Sequence, residues 1–249
     1  MILAIVGFAE YSLFFAIILL SGFIHGSVGY GFALISAPLL SFIIPLRMTV
    51  AITVFYIFGY TLHIVYRFRE QIPWRSIFLP LFVSFGARVL GVFLLMKLDL
   101  EIIRLIWGMF LISVALYFML SNQKARIKPS VIGGVAAGLV TGVFSGLFNS
   151  GGPAMAIYFY NVFSDKRQYS AALQVTFMLG ALVNLFVHLA YGNITLDVLR
   201  FAGIGVPVVF AGTFLGVRVF ERLSKKHLNI LVYLFMAITG IIQIIKAIS

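Results

Sequence analysis

The 249-residue chain contains no cysteine and few acidic residues. Without cysteine it can form no disulfide, no thiolate metal site and no cysteine nucleophile. Seven Asp and Glu residues stand against 18 Lys and Arg, and charged residues make up only 10% of the chain, whereas hydrophobic residues make up 62%. That apolar share is far above the usual half of a soluble domain. The composition therefore predicts an integral membrane protein with little mass outside the lipid bilayer.

The net charge is +11, which in a soluble protein would suggest a nucleic-acid partner. Here the cations fall in short loops between apolar runs, as the positive-inside rule describes for membrane proteins. We therefore expect no nucleic acid and take the bilayer as the partner of this surface. The first apolar run is not followed by a signal-peptide cleavage pattern, so we interpret it as a retained span.

A glycine-rich motif occurs twice, 120 residues apart, at 22–32 and at 142–152. Glycine weakens a helix and frees its backbone, so such a cluster inside an apolar run predicts a helix break. A repeated break in a duplicated membrane protein is a sequence pointer to a transport site. Three glycines of the two copies correspond: Gly22 with Gly142, Gly26 with Gly146, and Gly31 with Gly151.

The apolar runs at about 11–45 and 130–163 are too long for one crossing. As a single helix each would measure about 50 Å, against a hydrocarbon core of about 30 Å. If each run crosses the membrane, the Lys and Arg residues of the loops divide almost evenly between the two sides of the membrane, 9 to 8. If each run is a hairpin, 12 lie on one side and 5 on the other. The second division is a positive-inside pattern. It favours two hairpins and places both termini outside.

These observations predict an all-α polytopic membrane protein built from two inverted-topology repeats. The repeats are residues 1–125 and 126–249, each a Gly-rich helical hairpin plus three transmembrane helices, and together they form one integral transmembrane domain. Residues 83–91 also match 208–216. Inverted repeats that meet near the membrane midplane are an architecture of secondary transporters.

The paired motifs, with Pro38-Leu39-Leu40 after the first copy and Gly151-Gly152-Pro153 in the second, resemble those of the TauE/SafE family of sulfite exporters. The resemblance extends from about residue 12 to residue 245. It implies a multi-pass permease of the cell inner membrane that exports sulfite, organosulfonates or similar small anions. It implies no enzymatic activity and no cofactor, and it leaves a homodimer open.

The helix breaks are the first candidate substrate site. A helix that begins after Tyr30 or Ser150 presents free backbone N–H groups and a positive dipole end, which suit a small anion. We expect Ser150 or Asn149 to act as the N-cap and Pro153 to occupy the first turn. The glycines can also serve close helix packing, and we expect both roles: the site for Gly31, Gly151 and Gly152, and packing for Gly22, Gly26, Gly138, Gly142 and Gly146. The predicted substrate-binding residues of the two breaks are Tyr30, Gly31, Asn149, Ser150, Gly151 and Gly152, facing one another across one midplane site.

Three further side chains are candidates. Arg88 is the one Lys or Arg deep in a predicted span, where a guanidinium can bind an anion through two parallel hydrogen bonds; its alternatives are snorkelling or contact with helix-end carbonyls. Gln174 lies mid-span on a polar stripe with Asn184 and His188, and its alternative is hydrogen bonding between helices. His25, inside the first motif, could carry a proton or be a neutral structural residue. No histidine spacing indicates a metal site.

Two other functions stay open. A passive anion channel, or a permease for another small organic anion, would use the same breaks. An intramembrane hydrolase could use Ser145 as nucleophile and His188 as base, but the serine lacks a surrounding catalytic signature. The favoured function is a transporter that alternates access to a midplane site between the two Gly-rich hairpins.

Overall fold

The computed structural model describes residues 8–120, 130–220 and 225–248, and this part of the chain is helical. A single turn of 3-10 helix, Arg69–Gln71, follows the third helix. The loop cations Lys124, Arg126, Lys128 and Arg222 of the charge tally lie outside the described residues. The α-helices are α1 Phe8–Val28, α2 Phe32–Leu40, α3 Leu46–Arg67, α4 Trp74–Lys97, α5 Leu100–Leu120, α6 Val131–Phe148, α7 Gly152–Val162, α8 Lys166–Ala190, α9 Leu196–Phe220 and α10 Lys225–Ile248.

Seven of the described helices, α1, α3, α4, α5, α6, α8 and α9, are long and apolar enough to cross a bilayer. They measure 18 to 24 residues in their apolar parts, and about 20 residues suffice for one crossing. With 9 and 11 residues, α2 and α7 reach only about half of the hydrocarbon core at 1.5 Å per residue. The protein is therefore a multi-pass membrane protein that also contains two short helices.

Both long apolar runs are broken at the glycine-rich motif, as predicted. Between α1 and α2, Gly29 and Gly31 have φ angles of 86° and 104°, a conformation that costs glycine little. Between α6 and α7 the left-handed residue is Asn149, with φ 54°, and asparagine tolerates this region better than most side chains do. Each break is thus three residues long and has a local backbone cause.

The second broken pair is a helical hairpin. The Tyr158 hydroxyl of α7 donates to the Ser130 carbonyl oxygen at the start of α6, at 3.4 Å. At the other end, a Cβ added at Gly151 would collide with the Thr141 carbonyl oxygen. The beginning of α7 thus lies beside the later turns of α6, and the middle of α7 lies beside the beginning of α6. The two helices are therefore antiparallel. The predicted hairpin is present in this part of the chain.

The helices group into two compact units. The first contains residues 1–52, 97–121 and 195–249, and therefore α1, α2, α5, α9, α10 and the first turns of α3. The second contains residues 53–96 and 122–194, and therefore the rest of α3, α4 and α6 to α8. Each unit takes helices from both halves of the sequence.

In the first unit, α1 packs closely along α9 through glycine. A Cβ added at Gly22 would lie 2.8 Å from the Val209 carbonyl oxygen, and one added at Gly26 would collide with the Thr213 carbonyl oxygen. Backbone atoms cannot move aside as a side chain can. These two glycines therefore have the packing role that the sequence predicted for them.

In the second unit, α6 packs along α4 through the corresponding glycines. A Cβ added at Gly142 would lie 2.5 Å from the Ser84 carbonyl oxygen, and one added at Gly146 would collide with the Arg88 carbonyl oxygen. The sequence match of 83–91 with 208–216 aligns Ser84 with Val209, which contacts Gly22. It likewise aligns Arg88 with Thr213, which contacts Gly26. The same pair of helix contacts therefore occurs twice, once in each unit.

Candidate anion site in the second unit

Arg88 lies in the interior of the second unit, with 3% of its surface exposed. It is nine residues from the end of α4 at Lys97, which is about 14 Å along the helix. Its Nε has no hydrogen-bond partner among the described residues. The two carboxylate residues in the sequence of this unit, Glu70 and Asp165, are both exposed. A buried guanidinium without a nearby carboxylate is a group that a small anion would neutralise.

The guanidinium of Arg88 rests on α8 at Gly180. A Cβ at this position would collide with Cζ and Nη2 of Arg88 and lie 2.6 Å from its Nε. Cβ atoms essentially never approach other atoms closer than 3.0 Å, so with any other residue at this position the guanidinium, the far end of a flexible side chain, would have to shift. The close packing of Gly146 on the backbone of Arg88 in turn holds the root of this side chain against α6. Two glycines thus position one arginine.

Asn149 closes α6 and does not open α7. It is the C-cap of α6, and its backbone N–H donates to the carbonyl oxygens of Phe144 and Ser145. The N-cap of α7 is Gly151, which makes no side-chain capping bond, so the expectation that Asn149 or Ser150 caps α7 is wrong. The Ser150 hydroxyl instead donates to the Phe148 carbonyl oxygen at 3.0 Å. The left-handed turn at Asn149 directs both side chains toward α6 and its neighbours rather than toward the first amides of α7.

The side chain of Asn149 connects three helices. Its Nδ2 donates to the Thr53 hydroxyl of α3 at 2.9 Å, and its Oδ1 accepts from Nδ2 of Asn184 in α8 at 2.6 Å. The same Asn184 nitrogen donates to the Ser145 carbonyl oxygen of α6 at 2.8 Å. Thr53 and Asn184 are buried. The polar stripe predicted on α8 therefore has, at Asn184, the interhelical hydrogen bonds that the sequence analysis named as its alternative role.

The start of α7 is a second positive element beside this network. Its first amides have no intrahelical acceptor, as at any helix N-terminus, and Pro153 occupies the first turn, where its missing N–H is not needed. The Ser145 hydroxyl lies against Gly151, where a Cβ would collide with it. Gly152 packs on the edge of the Phe177 ring, at 3.0 Å from the position of an added Cβ.

One face of α8 carries all three contacts. Phe177 contacts the start of α7, Gly180 carries the guanidinium of Arg88, and Asn184 binds the helix break. These residues are spaced by three and four positions, which places them on the same side of a helix within about 10 Å. Gln174, one turn before Phe177, is also buried on α8. The second unit thus places Arg88, Asn149 and Gly152 against α8, which also carries Gln174, whereas Ser150 and Gly151 contact α6.

The remaining candidates lie in the first unit, around the first break. Tyr30 is buried and stacks on Phe118 of α5, with ring centroids 6.0 Å apart, and Phe118 stacks on Tyr233 of α10 at 5.2 Å. Gly31 is the N-cap of α2. His25 is buried in the last turn of α1. That both breaks line one common site stays a prediction from the sequence.

Gly180 is the residue that the sequence analysis missed. It is a single glycine in the middle of a 25-residue helix, outside both glycine-rich motifs. A mid-helix glycine costs about 1 kcal/mol relative to alanine, and that cost is the one sequence signal that could have directed attention to it. Its partner, Arg88, is 92 positions away in the chain, so no local pattern connects the two.

Comparisons with known proteins indicate a membrane transporter. The family model described as sulfite exporter TauE/SafE matches residues 14–242. A protein of Methanocaldococcus jannaschii that is described as a probable membrane transporter protein is 24% identical over an alignment that covers 95% of this chain and 97% of the relative. No solved structure matches the chain significantly. These descriptions are of transporters and not of enzymes, as the sequence predicted. The match of the family model over nearly the whole chain shows that the protein belongs to the sulfite exporter TauE/SafE family.

Proposed function

We propose that this transporter exports small oxyanions, with sulfite and organosulfonates as the first candidates, across the cell inner membrane. The family description names sulfite and export, and the relative is described as a membrane transporter without a substrate. The observation that carries the proposal is the buried guanidinium of Arg88, which rests on Gly180 with no described carboxylate beside it. A charge in this position is costly unless a ligand or partner neutralises it.

The groups around Arg88 suit an oxyanion in particular. A guanidinium presents a planar fork of N–H donors that matches two oxygens of a sulfonate or carboxylate. The start of α7, two to three residues beyond the break at Asn149, adds backbone donors and a positive dipole end. The Asn149 network ties the break to α3 and α8, so these donors are held in place before the substrate arrives.

We infer alternating access between two inverted repeats as the mechanism. The support is the repeated contact of a broken helix with a helix of the other half of the chain, Gly22 and Gly26 in one case and Gly142 and Gly146 in the other. The loop charges, 12 against 5, support the opposite orientation of the halves. An inside-negative potential favours the outward movement of an anion, by about 2.3 kcal/mol per charge per 100 mV, so export of a monoanion needs no co-ion.

Transport from proteoliposomes tests the proposal. Vesicles that contain the purified full-length protein and radiolabelled sulfite should lose label in a saturable manner, and an outside-positive potential should accelerate the loss. Arg88→Gln should remove this efflux, whereas Arg200→Gln, an exposed arginine beside Asp197, should retain it. Equal efflux from both variants would contradict the role of Arg88.

The same vesicles separate a carrier from a channel. A carrier that alternates access exchanges labelled for unlabelled substrate, so unlabelled sulfite on the far side should accelerate the loss of label. A passive channel shows no such acceleration and does not saturate in the same range. Absence of both saturation and counterflow would replace the transporter mechanism by a channel.

A further inference from the structure

The described residues of the second unit place one positive charge at Arg88 and no buried negative charge to balance it. Among the described side chains of the second unit, Arg88 is the one buried Lys or Arg, and the carboxylates of this unit's sequence, Glu70 and Asp165, are exposed. A monoanion bound here leaves the buried site neutral. A dianion leaves one net negative charge in a medium that solvates charge poorly. The charge balance thus favours a singly charged ligand.

The site also contains a fixed acceptor. The Nδ2 group of Asn184 has two hydrogens, and these donate to the Ser145 carbonyl oxygen and to Oδ1 of Asn149. A carbonyl oxygen only accepts, so the nitrogen of the Asn184 amide must face Ser145 and the amide cannot be reversed. Oδ1 of Asn184 therefore faces away from both. It is buried and has no hydrogen-bond partner among the described residues.

The charge and the acceptor lie on the same face of α8. Gly180, which carries the guanidinium, precedes Asn184 by four residues, which is about one helical turn or 6 Å. The unpartnered Nε of Arg88 and the unpartnered Oδ1 of Asn184 are thus a donor and an acceptor at neighbouring positions. A ligand that satisfies both needs a negative oxygen for the first and an O–H or N–H for the second.

We propose that the site selects oxyanions that are singly charged and carry a hydrogen-bond donor. Protonated oxyacid monoanions such as hydrogensulfite, and sulfonates with a hydroxyl group, belong to this class. Dianions such as sulfate, and monoanions without a donor, do not. The inference rests on the proposed function, since it deepens the description of the same site. Asn184 is then a specificity-determining residue, and the substrate's proton is part of what it recognises.

Two isosteric sulfonates test the inference without any change in charge. 2-Hydroxyethanesulfonate and propane-1-sulfonate have the same number of heavy atoms and are both permanent monoanions, but the first has a hydroxyl donor. Competition with labelled sulfite in proteoliposomes should give an inhibition constant at least tenfold lower for the hydroxylated compound, and sulfate should compete worse than either. Equal competition by the two sulfonates would overturn the inference.

Sulfite itself provides a second measurement, because its second ionisation falls near neutral pH. Its half-saturation concentration, calculated from total sulfite, should rise between pH 6 and pH 8.5 as the monoanion disappears. The inhibition constant of propane-1-sulfonate should stay constant over the same range, which controls for titration of the protein. A sulfite affinity that does not depend on pH would contradict selection of the protonated form.

Asn184→Ala removes the acceptor and should reduce the preference for the hydroxylated sulfonate to about onefold. Asn193 belongs to the same unit, and its side-chain amide binds His188. Asn193→Ala should therefore retain the preference. The ratio of two ligands on one sample is insensitive to the amount of active protein. If both ligands compete equally in the wild type while transport depends on Arg88, the proposed function stands and the inference fails. If neither ligand nor sulfite interacts, both fail.

Discussion

Gly180→Ala should displace the guanidinium of Arg88 with the smallest possible change in the chain. An alanine Cβ would lie 2.6 Å from Nε of Arg88, whereas ordinary contacts begin at 3.4 Å, so the group must retreat by at least about 0.8 Å. Such a shift breaks the alignment of a charged hydrogen bond to the substrate, which contributes about 1.5 to 3 kcal/mol. We therefore expect a half-saturation concentration about 10- to 100-fold higher in proteoliposome transport.

Gly86→Ala is the matched control, since this glycine lies in α4 two residues before Arg88 and an added Cβ would meet nothing within 4 Å. It should gain up to about 1 kcal/mol of helix stability and transport as the wild type does. Gly180→Ala gains the same helix term, and the atoms that collide with its Cβ are the far end of a flexible side chain, which can shift at little cost. Its thermal unfolding should therefore resemble that of Gly86→Ala, whereas its transport should not. If the two variants unfold and transport alike, contact between the guanidinium and α8 has no role in function.

Three further changes have outcomes that the packing determines. Thr53→Val keeps the volume but leaves Nδ2 of Asn149 without this acceptor, at a cost of about 1 to 3 kcal/mol. Thr61→Val loses bonds only to carbonyls of its own helix and should cost less than about 1 kcal/mol. Thermal unfolding scans in detergent compare the two variants. Gly146→Ala should destabilise by at least about 1 to 3 kcal/mol, because the colliding atoms belong to the backbone of α4, and a wild-type melting temperature would contradict the close packing. Phe118→Ala removes the ring between the tyrosine of the first break and that of α10. Because Phe118 is only partly buried, this should cost about 1 to 3 kcal/mol, measured in the same scans.

The sequence predicted the elements well because their causes are local. Apolar length predicts a span, and seven described helices meet that criterion. A glycine cluster predicts a break, and the breaks lie at Gly29–Gly31 and at 149–151. The direction of capping at the second break was not predictable, because Asn149 suits both the left-handed end of one helix and the start of the next. Its hydrogen bonds to Thr53 and Asn184 decide between the two.

The sequence by itself determined that this protein lies in a membrane, that two of its apolar runs are broken, and that Arg88 has an unusual position. Each of these follows from composition or from spacing within a few tens of residues. Only the tertiary structure decided that Arg88 rests on Gly180 and that Oδ1 of Asn184 is left without a described partner. Arg88 and Gly180 are 92 positions apart in the chain, and the hydrogen-bond partners of Asn184 are 35 to 39 positions from it. The geometry of these contacts depends on how α4, α6 and α8 pack. A buried charge can be recognised from sequence, but the space and the hydrogen bonds that it leaves for a ligand are properties of the packed helices.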